Sequence, residues 1–239
     1  MAATRSSELV GTEESLSSRS EALLGLGAER AVACRLRSVH VKIRRNRMDG
    51  QSRIDSHQIR RDVEELTAQI EEGAVSPIVF PRVSTRLVQN VEAESRFLQY
   101  ERDFEFRCDE SVARGGRGAS PSPMRYFLSG VAFCYQVWWA KSAALAGQAI
   151  TDLTVDVVTQ LDMRGELAMV ATGSHPEWIA FDVVVSGPTD APTAMLIADA
   201  AGQRCPLTAL LSRTIPVFER LTFDGVVIRD STDGRLELG

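Results

Sequence analysis

"YFLSGVAFCYQVWWAKSAALAG" (Tyr126 to Gly147) is the most apolar run of the chain, and a single thiol, Cys134, sits near its middle. Apolar residues go nearly all the way round this segment as a helix, leaving only a narrow polar stripe of Arg125, Ser129 and Gln136. A helix with that pattern is buried on most faces. The run predicts one long helix from about Pro123 to Ala146, interrupted by Gln136 and Lys141 and preceded by Arg125, and so too polar to span a bilayer. A domain of roughly 150 residues has few places that surround such a helix. Two copies packing their long helices together solve the problem, so burial alone predicts a homodimer.

Around this helix the pattern is one of strands and shorter helices. "STRLVQNVEAESRFLQY" and "DFEFRCDE" read as two strands joined by a short turn at Glu101 and Arg102, and "ARGGRGASPSP" (Ala113 to Pro123) as a glycine- and proline-rich loop. After the long helix, "ITDLTVDVVTQL" and "EWIAFDVVVSG" alternate as strands. "APTAMLIADAAGQR" reads as a helix, "CPLTALLSR" as a short one, and "IPVFERLTFDG" as a last strand. The order predicts an α+β fold, with helices gathered on one side of a mainly antiparallel sheet.

Upstream, "IDSHQIRRDVEELTAQIEEG" (Ile54 to Gly73) places Ile59, Val63, Leu66 and Ile70 on one face of an amphipathic helix closed by Gly73. A connector with two prolines follows, and the main boundary falls near Pro81. Residues 1–20, rich in Ser, Glu and Thr, read as disordered, and 21–81 as an N-terminal extension with helix formers over Ser20 to Ala33. Between Arg30 and Arg61 the basic residues exceed the acidic by +8, against a net charge of −5 for all 239 residues. Within that stretch Val39, Val41 and Ile43 alternate with His40, Lys42 and Arg44, the pattern of a half-buried strand with a solvated basic face. It lacks the aromatic residues on which bases stack, so nucleic-acid binding is not expected.

Composition sets the class. Hydrophobic residues at 44% and charged residues at 25% are those of a globular protein. The first twenty residues lack the apolar region of a secretory signal, and a cytoplasmic location is expected. Cys34, Cys108, Cys134 and Cys205 are too few for a disulfide scaffold and show no metal spacing; His40, His57 and His175 are scattered. Neither a metal nor a cofactor is expected. GGRG (Gly115 to Gly118) lacks a phosphate-loop spacing and reads as a connector, while Trp138 and Trp139 read as core or dimer contacts. Cys205 precedes Pro206, which suits the first position of a helix and would make Cys205 its N-cap, where the helix dipole favours a thiolate. On these grounds Cys134 and Cys205 are either buried inert thiols or a reactive pair.

"GGRGASPSPMRYFLSGVAFC", followed far downstream by "CPLTALLS", resembles the OsmC/organic hydroperoxide resistance (Ohr) superfamily over about residues 82–225. The resemblance implies an OsmC-like domain over 82–239, an intertwined homodimer with sites at the interface, and a thiol-dependent peroxidase acting on organic hydroperoxides. The counterpart of Cys134 attacks the peroxide and becomes a sulfenic acid; the counterpart of Cys205 condenses with it to an intramolecular disulfide, which a dithiol reductant reopens. Phe133, Tyr135, Val137 and Trp138 would favour organic substrates and limit overoxidation. Cys34 and Cys108 match nothing in the pattern.

The chain also departs from the family. Where family peroxidases carry a glutamate just after the helix-starting proline, paired with an arginine that steadies the thiolate, this chain has Met124 and Arg125. Arg102 is the best placement of the family arginine, with Arg96 or Arg117 as substitutes; Arg125 is the nearest cation in sequence. The missing acid leaves a second expectation open: an OsmC-fold protein without peroxidase activity that binds a hydrophobic small molecule at the dimer interface.

Overall fold

The computed structural model describes residues 50–171 and 173–238. The helix expected over Ser20 to Ala33 and the basic strand over Arg35 to Arg47 lie outside the described residues.

The core is a four-stranded sheet carrying helices. Strands β4 (Asp152–Gln160), β5 (Trp178–Ser186), β6 (Val217–Phe223) and β7 (Val226–Asp230) lie side by side in that order. In β5, Ile179, Ala180, Phe181, Val183 and Val185 are all buried, as a central strand requires, while β4 turns only Leu153, Val155 and Val157 towards the core. β5 and β6 run parallel, with Ile179 opposite Val217, so the chain between them must cross over. Helices α4 (Ala191–Arg204) and α5 (Pro206–Leu211) make that crossing. Gly187 releases the chain from β5 at φ 118, where a Cβ would fall 2.7 Å from both the Ala149 oxygen and the Thr151 nitrogen.

The long helix α2 (Pro123–Leu145) packs against α4 and β4, burying Val131, Tyr135, Trp139 and Ala143 along one stripe. Its C-terminal end is held by α1 (Ser56–Glu71). Asp55 caps α1 by accepting from the Gln58 amide at 2.9 Å, and Gly73 follows at φ 74. Arg60 then donates from Nη2 to the Ala144 carbonyl at 3.0 Å, and Ser56 from Oγ to the Gln148 carbonyl at 2.9 Å. Carbonyls at and just beyond the end of α2 thus gain donors from a neighbouring element.

A second, three-stranded sheet precedes α2: β1 (Ser84–Gln89), β2 (Glu92–Gln99) and β3 (Arg102–Cys108), an antiparallel meander. Its β2–β3 link is a two-residue turn with Tyr100 at φ 52 and Glu101 at φ 58, the left-handed pair that suits the twist of a hairpin. The remaining helix, α3 (Met163–Glu166), is a single turn between β4 and β5.

The α+β class, the extents of α1, α2, α4 and α5 and the strand at 178–186 agree with the sequence reading. Three features differ. The first expected strand is two, broken where Asn90 takes φ 52. The last expected strand is followed by β7, across a two-residue turn of Asp224 and Gly225 at φ 46 and 85. The strands also form two sheets rather than one, and one pair is parallel, because two helices rather than a tight turn join β5 to β6.

Candidate functional site: a pair of cysteines

Cys134 and Cys205, 71 positions apart in sequence, have their sulfurs 3.2 Å apart. Each is placed by a simple local cause. Cys134 projects from the middle of α2 on a side that packs towards α5. Cys205 stands at the corner between α4 and α5, because a residue before proline is driven out of helical geometry and takes φ −73, ψ 112 here. It closes α4 by donating its amide to the Ala201 carbonyl at 2.9 Å, and it opens α5 as the N-cap, its sulfur accepting from the Thr208 amide at 3.4 Å. The expected capping role is therefore what the geometry gives.

The two thiols are not equivalent. Cys205 is fully enclosed, whereas Cys134 keeps part of its surface open. Burial pushes the Cys134 thiol above its ordinary pKa, and the neighbouring Cys205 sulfur adds to the rise; the Leu207 amide and the Lys141 ammonium pull it back. The Cys205 sulfur stands where it can donate to the Cys134 sulfur. Either sulfur, once oxidised, has the other within reach of a bond after a small approach.

The arginines fall elsewhere. Arg102 is the first residue of β3 beside the hairpin tip, Arg125 lies in the first turn of α2, and both are exposed. Among the described residues neither side chain makes a hydrogen bond or ion pair, with Cys134 or otherwise. Arg96 is bound to Glu105 at 2.9 Å and Glu94 at 3.6 Å, and Arg117 to the buried Glu92.

The glycine-rich loop is folded round a carboxylate that the sequence reading passed over. Asp109, buried at the end of β3, accepts the amides of Glu110 at 2.8 Å and of Arg117 and Ala119 at 3.0 Å each. These amides, with Ala119 first, hold its carboxyl below the usual range. Gly116 has no room for a side chain, since a Cβ would lie 1.9 Å from the Glu110 oxygen. The loop amides are thus spent inside the loop, those of Arg117 and Ala119 on Asp109 and those of Gly115, Gly116 and Gly118 on backbone carbonyls. An acid directly before "ESVARGGRG" is the signal that would have found it.

Two cavities border α2. One, of about 420 Å³ and mainly apolar, lies between the meander and α2, with Phe106, Cys108, Tyr126 and Phe133 in its wall. The other, of about 610 Å³, is lined by Tyr135, Thr208, Glu219 and Arg229, with neither Cys134 nor Cys205 in its wall. Among the described residues no cluster of three or more His, Cys, Asp or Glu is arranged to hold a metal. No helix among them is long and apolar enough to cross a membrane.

Residues 116–219 match the family of OsmC-like proteins, a segment holding α2, α4, α5 and both cysteines. Solved structures of similar shape include an OsmC-like protein from Mycoplasma pneumoniae, at 14% identity, covering 59% of this chain and 96% of that one with a TM-score of 0.48. Another is an organic hydroperoxide resistance protein OsmC from Legionella pneumophila, at 15% identity, 62% and 99% coverage and a TM-score of 0.48. A third, from Elizabethkingia anophelis, is an organic hydroperoxide resistance protein with thiocyanate bound, at 14% identity, 61% and 99% coverage and a TM-score of 0.48. No curated protein matches. The segment match defines the class as an OsmC-like domain. That likeness to OsmC-like proteins is carried by residues 116–219.

Proposed function

We propose that the protein is a thiol-dependent peroxidase that reduces organic hydroperoxides. The observation that carries this reading is the 3.2 Å separation of the Cys134 and Cys205 sulfurs. The Cys134 thiolate attacks the terminal peroxide oxygen; the sulfur–oxygen bond forms as the oxygen–oxygen bond breaks, and the departing alkoxide takes a proton to leave as the alcohol. Cys134 is then a sulfenic acid. The Cys205 thiol attacks that sulfur, water leaves, and a disulfide joins the two residues. A dithiol reductant reopens the bridge by exchange, forming its own internal disulfide and returning two thiols to the protein. The partly open Cys134 suits the attacking role and the enclosed Cys205 the resolving one. A reducing cytoplasm would keep the resting pair as thiols.

Stopped-flow mixing of the reduced protein with cumene hydroperoxide should consume two thiols per peroxide and yield one internal disulfide between these residues. Reduction by Cys134→Ser at the parental rate would overturn the assignment.

The functional unit of this proposal is residues 82–239, with 21–81 as an extension, 1–20 outside it, and two copies per molecule. Apolar surface on α2 and on the meander supports the dimer: Phe133 is 65% exposed, Val137 50%, Leu87 69% and Leu98 72%. Sedimentation equilibrium that gives a stable folded monomer would remove that part.

The apolar cavity beside Cys108 supports a second reading, in which the domain binds a hydrophobic small molecule without reducing it. Saturable binding of an apolar fluorophore, undiminished in Cys134→Ser and lost in Phe133→Asp, combined with no peroxide turnover, would favour it.

A further inference from the structure

Cys134, Trp138 and Lys141 are separated by four and then three residues on α2, so they share one face of the helix. Helical side chains lean back towards the N-terminus, and the stem of Lys141 accordingly runs back over Trp138. Its ammonium stands 5.0 Å from the centre of the indole ring. That direction is towards Cys134. Lys141 is half-buried, and among the described residues it has no carboxylate partner.

Among the described residues no carboxylate of the elements packed on α2 forms an ion pair with Lys141, and those of α1 (Asp62, Glu64, Glu65 and Glu71) are exposed. Helix α5 has no charged side chain at all. On β4 the core-facing residues are Leu153, Val155 and Val157, while Asp152 pairs with Arg53 at 3.9 Å and Asp156 is exposed. On α4, Asp190 caps its own helix, Asp199 is held by Arg229 at 2.6 Å, and Arg204 is exposed. Arg60 of α1 spends its guanidinium on the Ala144 carbonyl, and Glu219 of β6 is taken by Tyr135 and Arg229.

We propose that Lys141 is the cation that favours the thiolate of Cys134, and that Trp138 positions it by holding the ammonium over its ring. The proposal rests on the reading of Cys134 as the attacking thiol. It assigns to a lysine on the cysteine's own helix the task expected of Arg102 or Arg125. A cation held on an indole face is fixed without a carboxylate, so its charge is not cancelled before it reaches the sulfur. The absence of an acid at Met124 then costs the site little, because a lysine held this way needs no glutamate to steady it.

The test is the pH dependence of iodoacetamide alkylation at Cys134, followed peptide by peptide by mass spectrometry on the reduced full-length protein. Lys141→Met should slow alkylation of Cys134 at pH 7 about threefold or more and move the profile to higher pH. Lys141→Arg should restore it, and Trp138→Leu should give part of the same loss. Alkylation of Cys108 should be unchanged throughout, with circular dichroism confirming the fold. Should Lys141→Met fold poorly, Lys141→Gln removes the same charge and serves instead. An unchanged Cys134 profile in the charge-removing variant overturns the proposal, whatever the peroxidase activity. A shifted profile in a protein that does not reduce cumene hydroperoxide supports the role of Lys141 and overturns the peroxidase reading alone.

Discussion

Tyr135 donates its hydroxyl to the carboxylate of Glu219, which Arg229 holds from the other side. The next residue along α2 from Cys134 is thereby tied to β6, and through Arg229 and Asp199 to α4. Burial, followed by the Glu219 charge, drives the phenol far above its ordinary pKa of 10.0. The sign of the linkage follows. A raised folded pKa gives stability that is intact below pH 10.0 and drains away as the pH climbs beyond it. Tyr135→Phe should cost about 1–2 kcal/mol at neutral pH and flatten that alkaline loss. Urea denaturation of both proteins at pH 7 and pH 11 checks this; parallel losses in the two would contradict it.

Asp109 behaves in the opposite sense. Three loop amides depress its pKa below the ordinary 3.8, so its contribution is present above that value and is lost as acid carries the pH through the folded pKa. Asp109→Asn, which keeps the shape and loses the charge, should lower the melting temperature at pH 7 and leave it less changed near pH 3. Hydrogen exchange should locate the effect in Glu110 to Ala119, whose amides the carboxylate gathers.

Arg60 offers a prediction at the far end of α2 from its N-terminal proline. Its guanidinium meets the Ala144 carbonyl in the last turn of α2, where a cation also opposes the negative end of the helix dipole. Arg60→Met should destabilise the protein by about 1 kcal/mol in chemical denaturation, while Arg61→Met, on the exposed side of α1, should change little.

Oxidation should harden the protein against denaturants. A bridge between Cys134 and Cys205 closes a loop of 71 positions in the unfolded chain, worth up to about 4 kcal/mol by loop entropy. The oxidised form should show a higher urea midpoint than the reduced one, with the difference absent in Cys205→Ser. Equal midpoints would mean that the bridge strains the folded state.

Much of this was legible in the amino-acid order. An apolar pattern that closes round the whole circumference marked α2, and the Cys–Pro step marked the corner at Cys205, because proline's constraint on its neighbour is local. The strand β7 has its sign in Asp224–Gly225, a strong two-residue hairpin signal at the point where the expected last strand stops. The rest was hidden for a physical reason. Periodicity reports which face of an element is buried and not which strand lies beside it, so the parallel β5–β6 pairing left no trace. Tyr135 and Glu219, separated by 84 positions, meet only because of that pairing. In sequence Lys141 is only an interruption of an apolar run; that its stem folds back over Trp138 is a matter of rotamer, not of residue type.

The crossover between β5 and β6 has one more consequence. Since α2 and the α4–α5 corner lie on opposite sides of β4 and β5 in the chain, the two sulfurs are brought together by tertiary packing and not by local sequence. The rate at which the pair bridges should therefore report on how intact that packing is, a chemical gauge of the native fold.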